Sequence, residues 1–232
     1  IAGIANPINP LLEPDQIAAI LRETNAKVLV TLRGFPKTDL PQLAADAVAQ
    51  APNVQTVLEV DLNRYLTPPK SLIVPLIRPK LTGKSHASVK NFNKEIAHQS
   101  KSLAFADATA DRVCDYFRTG GTTGMPKVAQ HRYSGVVYNG WLGGTLLYTP
   151  EDNVICPLPL FHVFAAYPAL MSMITAGAHT VFPTPAGYRG EGVFDNFWKL
   201  VEQWKVTYIF TVPTALAALM QRPINANVST LR

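Results

Sequence analysis

The chain is poor in cysteine, in charge and in long apolar runs, and each shortage removes a class of protein. Its two cysteines, Cys114 and Cys156, lie inside apolar stretches without a neighbouring cysteine or metal-ligand spacing, so a disulfide framework and a thiolate zinc site are excluded. Both read as reduced core residues, and the cytoplasm is the expected location. No apolar run reaches the roughly 20 residues that span a bilayer, and nothing reads as a signal peptide, so no transmembrane segment is expected. Charged residues make up 16% against 47% apolar ones, the balance of an ordinary globular chain with enough apolar residues to build a core. The net charge of +5 comes from scattered basic residues, densest from Lys70 to Lys101. Without aromatic interleaving or a nucleic-acid motif they read as a solvated face, so no nucleic-acid partner is expected.

What the chain does have is concentrated in Thr119-Gly120-Gly121-Thr122-Thr123-Gly124-Met125-Pro126-Lys127, where three glycines, three threonines and a lysine fall within nine residues. The run from Val113 to Phe117 ahead of it reads as a strand, and a helical pattern starts near Tyr133. Glycines let successive backbone N–H groups turn toward one point and leave room for a close-approaching oxygen. Hydroxyls of Thr119, Thr122 and Thr123 add donors and metal-competent oxygens, and Lys127 adds a full positive charge. The composition suits a cradle for a phosphate chain. It is not a Walker A loop, because Met125 and Pro126 separate Gly124 from Lys127 and Val128 stands where a magnesium-binding hydroxyl belongs.

The same nine residues resemble the phosphate-binding signature of the AMP-forming acyl-CoA synthetase, adenylation-domain and luciferase superfamily, usually Thr-Ser-Gly-Thr-Thr-Gly-x-Pro-Lys-Gly. Gly120 replaces the serine and Val128 the last glycine; Gly120 gives up a hydroxyl but keeps its N–H. A second stretch, Pro157-Leu158-Pro159-Leu160-Phe161-His162-Val163-Phe164, resembles the family's Pro-Leu-Phe-His-x-x-Gly motif at the mouth of the acyl pocket, with Ala165 in place of glycine. Spacing alone makes His162 an ordinary loop or core histidine; the resemblance makes it an acyl-pocket residue, flanked by Phe161 and Val163. Gly120-Gly121 together with Gly187-Tyr188-Arg189-Gly190 look most like bacterial acyl-CoA synthetases.

Around these motifs the chain alternates helix and strand. Pro14 opens a helix closed by Asn25, Lys27 to Leu32 reads as a buried strand, Leu40 to Gln50 as a helix and Val54 to Val60 as a strand. Asp61 to Ala110 reads as a variable linker and surface excursion. From Tyr133 to Tyr148 a helix is expected, with its aromatic side chains in the core, followed by a strand from Asn153. The helix from Val163 to Ala176 would turn Phe164, Tyr167, Leu170, Met171 and Ile174 to one face. A strand over His179 to Pro183, a loop exposing Tyr188 and Arg189, an amphipathic helix over Val193 to Trp204, and a strand, turn and helix from Thr207 to Met220 complete the pattern.

The resemblance implies an α/β fold, the layered sheet-and-helix portion of the large N-terminal domain of an adenylate-forming enzyme. Residues 1–112 would form a first α/β part with the linker and 113–232 the phosphate-loop and acyl-pocket part, the C-terminal domain being absent. It implies ATP-dependent activation of a carboxylic acid, fatty or aryl, to an acyl-adenylate with pyrophosphate release, then thioester formation with coenzyme A. Thr119, Gly120, Gly121, Thr122, Thr123, Gly124 and Lys127 would hold the ATP phosphates, with Thr122 a ligand to Mg2+. The partners expected are a small-molecule acid, ATP and coenzyme A, and a homodimer is allowed. No catalytic residue is assigned, and the segment alone is expected to be inactive. A non-catalytic nucleotide- or acyl-binding module, or an adenylation domain loading a carrier protein, remain the alternatives.

Overall fold

The computed structural model describes residues 3–83, 85–102, 110–119 and 127–232. The chain divides into two compact units, Asn9–Ala106 and Ile1–Ile8 with Asp107–Arg232.

In the first unit α1 (Pro14–Glu23) leads to β1 (Val28–Leu32), and α2 (Leu40–Ala49) to β2 (Thr56–Val60). Proline at the first helical position costs no hydrogen bond and presets φ, and the Glu13 N–H is taken up by Gln16 Oε1 at 3.0 Å. The helix ends where Asn25 adopts φ +49°. The Asn25 N–H then donates to the Arg22 carbonyl and the Ala26 N–H to the Leu21 carbonyl, the paired closure that a left-handed residue permits. Ile17, Ala18, Ile20 and Leu21 of α1 are buried, as are Ala44, Ala47 and Val48 of α2.

The segment expected to be a linker is more ordered than its sequence suggests. After the short helix α3 (Lys70–Ile73), β3 (Ser88–Asn91) pairs in parallel with β2, completing the order β1-β2-β3, and α4 (Phe92–Ala97) follows. Ser-Val-Lys-Asn carries no strand signal in sequence because it is an edge: three of its residues are exposed, and a polar, lysine-bearing edge lacks hydrophobic alternation and discourages pairing with other chains. Asp61 is held by both nitrogens of an ion-pair set, Arg78 at 3.0 Å and Arg33 at 3.1 Å.

The second unit holds a hairpin and a parallel sheet. β4 (Val113–Arg118) and β5 (Val128–Arg132) are antiparallel, and Ala5 bridges to β4 through its N–H and carbonyl. α5 (Tyr133–Leu146) follows, then β6 (Asn153–Ile155), a π-helical segment Ala165–Met171 that runs into α6 (Ser172–Ala176), and β7 (His179–Val181). α7 (Phe197–Gln203), β8 (Tyr208–Ile209) and α8 (Pro213–Met220) end the chain. The strand order is β7-β6-β8, all parallel.

β6 is central and buried on both faces, so period-two alternation sends its side chains into two cores. Ile155 joins Phe197, Trp198, Val201, Val206 and Leu219, whereas Val154 and Cys156 join Tyr148, Ala169, Met173 and Phe210. Both cysteines are buried and free.

Two helical expectations need correction. In α5, Tyr138 and Trp141 are 57% and 54% exposed. The face that packs is instead made of glycine: a Cβ at Gly143 would lie 2.6 Å from Ser172 Cβ. In the next helix Ala165, Tyr167, Ala169, Ser172 and Met173 are buried, while Phe164 and Ile174 are exposed. Pro168 lacks an N–H, and the wider π-turn around it rotates the later residues away from the phase of a regular helix. Among the described residues no helix is long and apolar enough to cross a membrane.

Asp152, only 1% exposed, ties the start of β6 to that of β8. Its carboxylate accepts from the Thr149 N–H at 2.8 Å and Thr207 Oγ1 at 2.6 Å, and pairs with Arg232. Burial raises its pKa, but the hydrogen bonds from Thr207, Thr149 and Arg232 outweigh that and hold it below the usual aspartate range. A depressed folded pKa means stability that is fully present above the unfolded value and lost as pH falls through the folded one. We expect Asp152→Ala to cost about 2–4 kcal/mol in urea unfolding at pH 7. The gap between the two proteins should close as the pH is lowered from about 4.

Candidate functional site

The phosphate-loop candidate hangs from the β4–β5 hairpin, in which Phe117 faces Ala129 and Arg118 faces Val128. One residue further the ends are clamped. The Thr119 N–H donates to the Lys127 carbonyl at 3.0 Å, the Lys127 N–H donates to Thr119 Oγ1 at 3.2 Å, and that hydroxyl donates back to the Lys127 carbonyl at 3.3 Å. Gly120, Gly121, Thr122, Thr123 and Gly124, with Met125 and Pro126, lie outside the described residues. Lys127 is exposed, and among the described residues its ammonium meets no carboxylate.

The base of the hairpin is fixed where β5 turns into α5. The Asp111 carboxylate accepts from Ser134 N–H at 3.1 Å and Ser134 Oγ at 2.8 Å, occupying a donor that the helix start would leave open. Those bonds hold the Asp111 carboxyl below its usual range.

Beside the hairpin lies a cavity of about 560 Å³. One wall is built from Phe117, Arg118 and Thr119 of the first strand's end and Ala129 and His131 of the second. The other is the stretch from Leu158 to Ala165, contributing His162, Val163 and Phe164, with Val212 ahead of α8. The sequence motif thus places His162 and Val163 on the cavity. Phe161 is not part of its wall; its ring lies 4.7 Å from that of His162.

The second wall is buttressed from behind. The Pro157 carbonyl accepts from Tyr188 N–H at 3.0 Å, and the His162 carbonyl accepts from the N–H groups of Ala165 and Ala166, starting the helix. Gly187 makes this approach feasible: its φ is +56°, and a Cβ there would stand 2.2 Å from the Pro157 carbonyl oxygen. Tyr188, expected to be exposed on a loop, is instead packed. Its ring stacks on Phe194 at 4.9 Å and its hydroxyl lies 2.7 Å from Thr211 Oγ1. Burial pushes that phenol up, with the Thr211 bond pulling the other way. Arg189 is exposed.

His131 was not singled out by sequence. Its ring makes edge contacts with Phe117 at 5.7 Å and Tyr167 at 5.2 Å. Behind them, buried Asp115 receives the Cys114 thiol at 3.2 Å. Burial and then Asp115 push the Cys114 thiol up to about 11, and the same two causes push the Tyr167 phenol higher still. Neither can serve as a ready anion at neutral pH. The signal for His131 lies in pairing: continued through the hairpin, period-two alternation brings Phe117, Ala129 and His131 to the cavity wall. Val-Ala-Gln-His-Arg was too polar to announce a strand.

A family model described as "AMP-binding enzyme" matches residues 1–232. The marinolic acid–CoA ligase of a Pseudoalteromonas species is 32% identical over 96% of this chain and 32% of its own length. The 4-coumarate-CoA ligase 2 of Narcissus pseudonarcissus is 24% identical over 97% of this chain and 36% of its own. The crystal structure of the anthranilate CoA ligase AuaEII in complex with anthranoyl-AMP superposes with a TM-score of 0.72 at 23% identity, covering 99% of this chain and 39% of that one. The chain spans about a third of the length of the curated relatives it matches, and the fold agrees with the adenylate-forming one expected from its sequence.

Because Gly187 combines a left-handed conformation with backbone contact, Gly187→Ala should cost about 2–4 kcal/mol. Gly135→Ala, where a Cβ meets nothing within 4 Å, should be neutral or stabilising by up to about 1 kcal/mol. Urea midpoints of the two variants measured side by side check the contrast.

Proposed function

Since the chain belongs to the AMP-binding enzyme family, we propose that it forms the phosphate- and acid-holding part of an AMP-forming acid–thiol ligase. The observation that carries this reading is the double position of Thr119, which both closes the glycine-threonine loop and lines the cavity. An ATP held at the loop and an acid held in the cavity would meet within one residue's reach.

In this mechanism a carboxylate oxygen attacks the α-phosphorus of ATP, the bond to the leaving pyrophosphate breaks, and a mixed anhydride of acid and AMP forms. The thiolate sulfur of coenzyme A then attacks the acyl carbon and releases AMP. Positioning and neutralisation of the leaving charge dominate such chemistry. Backbone N–H groups of Gly120, Gly121 and Gly124, hydroxyls of Thr122 and Thr123, and the Lys127 ammonium are the proposed partners of the β- and γ-phosphates. Thr119 serves mainly as the clamp that sets where the loop begins and ends, since its hydroxyl is already engaged by Lys127.

Magnesium is commonly held through few protein oxygens and substrate phosphates. That asks for no carboxylate cluster, and among the described residues there is none of three or more His, Cys, Asp and Glu groups. Thr122 is the proposed protein ligand, and the ion would offset charge on the departing pyrophosphate. His162 and Val163 would border the acid, and the volume and apolar lining of the cavity favour a fatty or aryl body over a two-carbon acid.

The test is pyrophosphate release by the protein that carries this chain, with ATP, magnesium and a panel of carboxylic acids. Acid-dependent turnover is expected. Lys127→Ala should lower kcat/KM for ATP by roughly 10- to 100-fold, as loss of one charge-assisted phosphate contact implies, while moving the KM for the acid much less. ATP binding without turnover on any acid would instead point to a binding module.

A further inference from the structure

The two imidazoles that line the cavity are not equivalent. His162 is exposed, whereas His131 is half-buried and fixed by edge contacts with Phe117 and Tyr167. Those neighbours hold the His131 ring without satisfying it: among the described residues neither ring nitrogen has a hydrogen-bond partner, and the Cys114 thiol reaches only its backbone carbonyl, at 3.4 Å. Tyr167, whose ring meets His131 edge-on, has its phenol beside the buried Asp115 carboxylate. The cavity therefore presents, against mostly apolar walls, an imidazole of set orientation whose donor and acceptor are both uncommitted.

An unmet hydrogen bond in an apolar site discriminates strongly. A site built to bond a substrate hydroxyl or amine rejects the analogue that lacks it far better than an apolar pocket rejects an extra methylene. We propose that His131 is a specificity-determining residue that hydrogen-bonds a hydroxyl, amino or keto group carried in the body of the acid. The substrate class would then be acids with a polar substituent on an aryl or alkyl body, in preference to their pure hydrocarbon counterparts. This rests on the adenylation reading above for the identity of the ligand as an acid. The exposed His162 would contact the acid whether or not it carries such a group.

The test compares acids that differ by one polar group, benzoate with its three hydroxy- and amino-isomers and octanoate with its hydroxyoctanoates, in acid-dependent pyrophosphate release. The wild-type protein should favour at least one substituted member over its parent by roughly 10-fold or more in kcat/KM. His131→Phe, which keeps an aromatic ring among Phe117 and Tyr167, should reduce that preference to within about twofold of unity while leaving the KM for ATP unchanged. His131→Gln, which keeps a donor and an acceptor, should restore part of it. Equal preference in the wild type and His131→Phe, or a uniform loss across all acids, would overturn the proposal.

Absence of turnover with every acid would count against the adenylation reading instead. The same pairs would then be titrated into the protein while the imidazole resonances missing from the His131→Phe spectrum are followed. A shift of the His131 resonance by a substituted acid and not by its parent supports the inference; no shift with any of them refutes it.

Discussion

The site depends on a backbone contact between two residues that are eight apart in sequence and directly opposed in space. Thr119 and Lys127 exchange hydrogen bonds through main chain and hydroxyl, so whatever path the loop between them takes, its two ends are fixed relative to the β4–β5 ladder. For a glycine-rich segment this matters more than for most loops. Glycine gives backbone N–H groups freedom to converge on an anion, but that freedom is lost entropy when the anion binds. Clamping the ends shortens the closure problem to the loop itself and leaves the glycines to do only what they are needed for.

The opposite wall of the cavity has an independent support. β6 is buried on both faces, and Asp152 at its start locks it to β8 through Thr207. Beyond its end, the Pro157 carbonyl is held by Tyr188, an approach that a side chain at Gly187 would block. The segment carrying His162 and Val163 is therefore positioned by a parallel sheet and a glycine-dependent backbone contact, while the loop is positioned by an antiparallel hairpin. The cavity is the gap where these two supports face one another, which explains why the residues that line it come from stretches some thirty to ninety residues apart.

Where periodicity is strong, the elements are legible in the sequence. Pro14 and Asn25 bound α1 by the chemistry of helix ends, and the alternation of Val154, Ile155 and Cys156 fits a strand buried on both faces. The two strands it does not announce share a physical cause. β3 and β5 carry too few apolar side chains to show a period of two, because one is a polar edge and the other faces a cavity. Pro168 shifts a helical face by inserting a wider turn, and no window of regular spacing anticipates that. Tyr188 looked like an exposed residue because glycines flank it, yet those glycines permit the close packing that covers it. His162 was recognisable through its motif, whereas His131 required knowing that the strand continues on the far side of the loop.

The electrostatic character of the cavity follows from where the acidic groups are. Among the described residues no carboxylate lines it; the Asp115 carboxylate is beside the Tyr167 phenol, and Asp111 is turned to the start of α5 by Ser134. The buried Cys114 thiol and Tyr167 phenol, the groups that could become anions nearby, are both pushed away from ionisation. What faces the space is an arginine, a threonine, two imidazoles and apolar carbon, with the Lys127 ammonium at the adjoining loop end. At low local dielectric a single misplaced carboxylate would repel an incoming acid and a polyphosphate over several ångströms. On the proposed reading, holding the described carboxylates off the cavity wall lets the acid and the polyphosphate approach each other with less repulsion.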